Sequence, residues 1–180
     1  MLRTCAIASL FALTIQSTVF AEDMTTTPEE AREFVKLMVG RWTGEPTLTR
    51  DDPITGVKAG QKGRAYVTRS TILDGLGFIT RNTGGANAGA DMGIYDKGSK
   101  QFKVMGGSTD GGFFEAIIWK QESGKWKAIA TGTTPEGEKA KYKAAFQFNG
   151  KGTELTVTLE IAAEGNESIK LENKSIRLDK

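Results

Sequence analysis

Two stretches near the end of the chain alternate strictly between oily and wet side chains, and a period of two narrows what they can form. Ala140, Tyr142, Ala144, Phe146 and Phe148 interleave with Lys141, Lys143, Ala145 and Gln147; Leu155, Val157, Leu159 and Ile161 interleave with Thr156, Thr158 and Glu160. Successive side chains of a strand point to opposite faces, so each stretch reads as a β-strand with one buried and one solvated face. Asn149-Gly150-Lys151-Gly152 between them has hairpin chemistry.

The same pattern recurs upstream. Trp42 to Thr49, Ala65 to Leu73, Phe78 to Asn82, Asp91 to Tyr95, Gln101 to Met105, Phe113 to Trp119 and Trp126 to Thr131 read as strands, and a last one runs from Ser168 to Leu178. Asp74-Gly75, Gly84-Gly85, Asp96 to Lys100, Gly106 to Gly112, Glu122 to Gly124 and Pro135-Glu136-Gly137 separate them as turns. Short strands, short turns and no helix long enough for a crossover predict a mainly β fold, an antiparallel up-and-down meander of about nine or ten strands. Such a meander closes, or nearly closes, into a barrel because closure removes exposed edges; an open two-layer sandwich is the alternative. Asp51 to Gly63 is the longest loop-like segment, with no role assigned to it.

One short helix is predicted ahead of the strands. Thr27-Pro28-Glu29-Glu30 offers an N-cap Thr, Pro at the first helical position and Glu three residues after the cap. Ala31, Phe34, Val35 and Met38 then share one face, and Gly40 ends the helix.

The first residues read as a secretory signal peptide: Arg3, an apolar run from Ala6 to Ile15, and Val19-Phe20-Ala21 before Glu22-Asp23. That run is shorter than the roughly 20 apolar residues a bilayer span requires. The expectation is a leader over 1–21, one domain over 22–180 with no membrane span, and a periplasmic or extracellular location. The single cysteine, Cys5, falls in the leader, so the exported domain has no thiol or disulfide.

Composition excludes several function classes. The chain has no histidine, which removes imidazole-based triads, most zinc and copper sites and haem on an axial His. Lys and Arg number 24 against 22 Asp and Glu, scattered singly along the strands, which argues against a nucleic-acid partner. No cofactor and no metal site is expected. Asp91, Asp96 and Asp110 lack calcium-loop spacing, and Asp beside or near Gly is ordinary turn chemistry. The Gly-rich runs 83–90 and 106–112 lead into strands rather than helices, so they read as hairpin loops and not phosphate cradles.

At residues 34–45, Phe-Val-Lys-Leu-Met-Val-Gly-Arg-Trp-Thr-Gly-Glu resembles the opening of a lipocalin-like (calycin) barrel, a helix followed by Gly-x-Trp on the first strand. Ile72-Leu73-Asp74-Gly75, Gly93-Ile94-Tyr95-Asp96 with Lys100-Gln101-Phe102, Gly111-Gly112, Gly124-Lys125-Trp126 and Gly132-Thr133 to Gly137 follow in order. This order resembles a family of exported bacterial lipocalin-like domains of unknown function, found alone or attached to ketosteroid-isomerase-like domains. The resemblance implies a barrel and a Trp plugging one end; it carries over no catalytic residues. Haem-binding barrels of the nitrobindin kind share Gly-x-Trp but use an axial His.

Candidate site residues follow from alternation. Trp42, Tyr66, Phe102, Trp126, Tyr142 and Phe146 are expected inside, as core or as the lining of an apolar cavity. Arg69 and Arg81 are candidates to meet an anionic head group at the mouth. Glu115 shares a face with Phe113, Ile117 and Trp119, and the pattern leaves open which face is inside; inward, it would be a desolvated acid or base. Three functions stand: binding of a small, largely apolar ligand, preferred; a cofactor-free isomerase, cyclase or hydrolase using a buried carboxylate, with Glu115 and Tyr142 leading; and an envelope structural or interaction protein. Oligomeric state is not legible.

Overall fold

The Thr27 side chain and Glu30 form a reciprocal capping box: Thr27 Oγ1 accepts from the Glu30 amide at 3.2 Å, and Glu30 Oε2 accepts from the Thr27 amide at 2.9 Å. This starts helix α1 (Pro28–Met38), whose Ala31, Phe34, Val35 and Met38 are buried, as the helical spacing predicts. Residues 23–48, 59–60, 63–84, 88–134, 136–163 and 168–179 are described by a computed structural model. The expected signal peptide and nearly all of the 51–63 loop lie outside the described residues, as do 85–87 and Pro135.

Ten strands follow: β1 (Gly40–Leu48), β2 (Ala65–Ile72), β3 (Gly77–Gly84), β4 (Gly89–Asp96), β5 (Gln101–Ser108), β6 (Phe113–Glu122), β7 (Lys125–Thr133), β8 (Lys139–Phe148), β9 (Glu154–Ala163) and β10 (Ile169–Arg177). Each pairs antiparallel with the next, and β1 pairs with β10 from Trp42 opposite Arg177 onward, closing the barrel. The expected meander is therefore observed, and the open sandwich is not. A short 3-10 turn, Leu73–Gly75, joins β2 to β3, with Leu73 and Asp74 at positive φ.

Helix α1 closes one end. Phe34 is fully buried, its ring centroid 4.8 Å from Trp126, 5.5 Å from Phe102, 5.8 Å from Phe146, 6.3 Å from Phe78 and 6.5 Å from Phe148. Phe78 and Phe102 stack over Gly93, where a Cβ would come within 2.8 Å of both rings. Trp42 donates from Nε1 to the Met38 carbonyl at 2.9 Å, and the Arg177 guanidinium lies 4.7 Å over its ring while also meeting the Leu37 carbonyl. A cation at the helix C-terminus complements the free carbonyls there. Lys120 on β6 and Glu33 on α1 form a half-buried ion pair at 2.6 Å that ties the helix to the wall.

Candidate ligand-binding site

A ten-stranded barrel encloses more space than the eight-stranded kind that side chains can just fill. At the helix end the aromatic cluster occupies that space. Toward the other end the inward positions become small, with Ala116 on β6, Ala128 and Ala130 on β7, and Ala144 on β8, so side-chain volume falls short of what the wall encloses. The shortfall is a cavity of 410 Å³, within the range of small-molecule sites. Ala116, Ala130, Ala144, Phe146, Val157 and Leu159 form much of its apolar wall, and Phe146, touching Phe34, links it to the plug. Ser108, Asp110 and Thr134, from the β5–β6 and β7–β8 turns, stand at the mouth opposite α1.

The opposite wall is polar. Arg69, Thr80 and Asp91 are successive cross-strand neighbours on β2, β3 and β4, and Asn82 lies one inward position beyond Thr80. Asp91 and Asn82 line the cavity directly. Burial raises the Asp91 carboxyl above its ordinary range, opposed by the Thr80 hydroxyl beside it and by the charge of Arg69. Thr80 Oγ1 stabilises that charge without meeting the geometry of a full hydrogen bond. Desolvation pulls the Arg69 guanidinium down to about 10, with Asp91 pulling the other way. Arg69 Nε, Thr80 Oγ1, Asn82 Oδ1 and Asn173 Oδ1 are all sealed from solvent without a hydrogen-bond partner among the described residues. At the mouth, the Asp110 carboxylate accepts from the Ser108 hydroxyl and, at 3.2 Å, from the Gly112 amide. Burial and then the Asp110 charge raise the Tyr142 phenol, which stays protonated.

The structure divides the sequence candidates into three groups. Tyr142 and Phe146 line the cavity; Trp42, Phe102 and Trp126 belong to the solid aromatic end. Tyr66, Arg81 and Glu115 face solvent, and for Tyr66 this corrects the interior expectation. Val67, not Tyr66, pairs with inward Trp42, which turns Tyr66 outward opposite Thr43 and Thr83 with 46% of its surface exposed. Arg81 has the parity of Thr68 and Ala90, and Glu115 that of Met105 and Thr131, on the outer wall. Phe114, Ala116 and Ile118 are the inward set of β6. Of the two arginines named for the mouth, Arg69 is inside.

The residues missed are Asp91, Thr80 and Asn82. Asp91 was readable, because it shares strand parity with Gly93 and Tyr95, but with Gly89 and Gly93 two residues to either side it reads as turn chemistry. Among the described residues no three of His, Cys, Asp and Glu converge as a metal site. No described helix is long and apolar enough to cross a membrane, which says nothing of a β-barrel.

No protein-family model matches the sequence, and no curated protein matches it. Among solved structures, Rv2717c from M. tuberculosis is similar with a TM-score of 0.61 and 11% identity, over 83% of this chain and 98% of that one. The S-type phycobiliprotein lyase CPES from Guillardia theta gives a TM-score of 0.40 and 12% identity, over 82% and 92%. At such identity, likeness to Rv2717c speaks for the fold alone. The fold that likeness and topology share is a closed, ten-stranded antiparallel barrel of lipocalin-like form with a helix-plugged end.

Proposed function

We propose that the protein is a binding module that holds one small, largely apolar molecule in the end of the barrel away from α1. The 410 Å³ cavity, walled on one side by Ala116, Ala130, Ala144 and Val157, carries this reading. Burial of a methylene group is worth about 0.8 kcal/mol, so a homologous series of ligands should tighten about fourfold per added carbon until the tail meets Phe146. The test is fluorescence of the neutral dye N-phenyl-1-naphthylamine on the purified protein, with the series as competitors. Saturable binding that Ala144→Phe abolishes supports the reading; a dye signal unchanged by Ala144→Phe overturns it.

Export through the 1–21 leader belongs to the same proposal, as does kinship with the exported lipocalin-like domains that the Gly-x-Trp opening resembles. N-terminal sequencing of protein recovered from a fractionated bacterial host should begin at Glu22. Retention of Met1 in the cytoplasmic fraction would refute export.

A further inference from the structure

The charged side chains bordering the cavity are of one sign among the described residues. Asp91 and Asp110 are carboxylates, Asn82 Oδ1 is an acceptor with no donor among the described residues, Ser108, Thr133, Thr134 and Tyr142 bring hydroxyls, and no Lys or Arg is in the described lining. Asp110 already accepts from Ser108 and Gly112 at the rim. Deeper in the wall, Asp91 has, among the described residues, only the Thr80 hydroxyl and, one strand further, the field of Arg69. Gly106 makes room for it: a Cβ there would lie 2.6 Å from Asp91 Cβ and 2.8 Å from the Phe114 ring. A buried acceptor without a donor costs free energy, and a buried carboxylate costs more, unless something donates to it. Among the described residues nothing donates to Asn82 Oδ1.

We infer that Asp91 and Asn82 recognise the head of the cavity's ligand, and that this head is a hydrogen-bond donor and not an anion, a hydroxyl or an ammonium group on an apolar body. This rests on the binding reading above and adds the chemistry of the head group. A carboxylate or phosphate head would face two carboxylates across a low-dielectric space. An ether or ester head would bring a further acceptor to the side of the wall that Asp91 and Asn82 Oδ1 form. An ammonium, with three N–H donors, can meet Asp91 and Asn82 together and a hydroxyl, with one, meets one of them, while Arg69 behind Thr80 keeps the wall's charge partly balanced.

The experiment competes four ten-carbon ligands, 1-decanol, decylamine, decyl methyl ether and decanoate, against N-phenyl-1-naphthylamine. A donor to a buried charged acceptor favours the alcohol or the amine over the ether on the order of thirtyfold. In Asp91→Asn, which keeps the shape but offers a neutral acceptor, that preference should shrink to about fivefold. The ratio is taken within each protein, so general weakening by the substitution cancels. Decanol and decylamine separate the two donor sources. An ether or decanoate that binds as tightly as both donors to the wild-type protein, or a preference untouched by Asp91→Asn, overturns the inference. If the dye itself fails to bind the wild-type protein, it is the cavity reading that falls.

Discussion

Replacing Phe34 by alanine attacks the aromatic cluster through which the helix packs into the barrel. Phe34 is fully buried, with five aromatic rings within 6.5 Å. Phe→Ala in a core costs about 3–5 kcal/mol, and edge-to-face ring pairs contribute roughly 0.5–1.5 kcal/mol each beyond their burial. Three of Phe34's pairs are edge-to-face, with Phe102, Phe146 and Phe148, so the loss should sit near the top of that range, about 5 kcal/mol. Domains of this kind have about 5–15 kcal/mol in total, so the variant should be folded but fragile, with Tm lower by roughly 10–20 °C. Urea unfolding followed by tryptophan fluorescence and far-ultraviolet circular dichroism measures it. Because Phe34 also backs Phe146, the variant should accept a longer ligand tail before affinity stops rising. A loss under about 2 kcal/mol would refute the reasoning, since so small a cost is incompatible with a ring sealed at the centre of five others.

Gly93→Ala should cost about 1–3 kcal/mol although alanine suits a strand, because its methyl meets the rings of Phe78 and Phe102; chemical denaturation without loss would show that those rings can move apart. Asp91→Asn should make the protein more stable at neutral pH. The folded state raises the Asp91 pKa, so it holds a proton the unfolded chain has released, and wild-type stability falls as pH climbs from the ordinary value of 3.8 through the raised one. Stability curves from pH 3 to 8 should therefore converge at the acid end and part above it. A loss for Asp91→Asn at neutral pH would mean that attraction to Arg69 outweighs desolvation.

The parts of this fold legible in the sequence are those governed by local rules. The capping box at Thr27 and Glu30 depends on residues three apart, and the strand positions depend on alternation, so both were readable. The side of each strand that faces in is decided across the sheet. Tyr66 alternates with Ala65 and Val67, and nothing local to β2 says that Val67 will sit beside Trp42; register does. Glu115 is the same case, on a strand with aromatics at both parities. The hollow depends on inward positions of three strands, β6, β7 and β8, being small together, and the polar wall on Arg69, Thr80 and Asp91 meeting from three others, so neither has a signature within any one segment. Asp91 reads as turn chemistry because glycines stand two residues to either side of it, at Gly89 and Gly93.

Crystallographic location of a brominated ligand bears most directly on the claim that one end of the barrel is hollow and receives an apolar molecule. With 10-bromo-1-decanol, anomalous scattering should place bromine inside the barrel among Ala130, Ala144 and Phe146. Bromine found only on the outer wall near Met105 and Ile117, or an interior already filled by protein side chains, would contradict it.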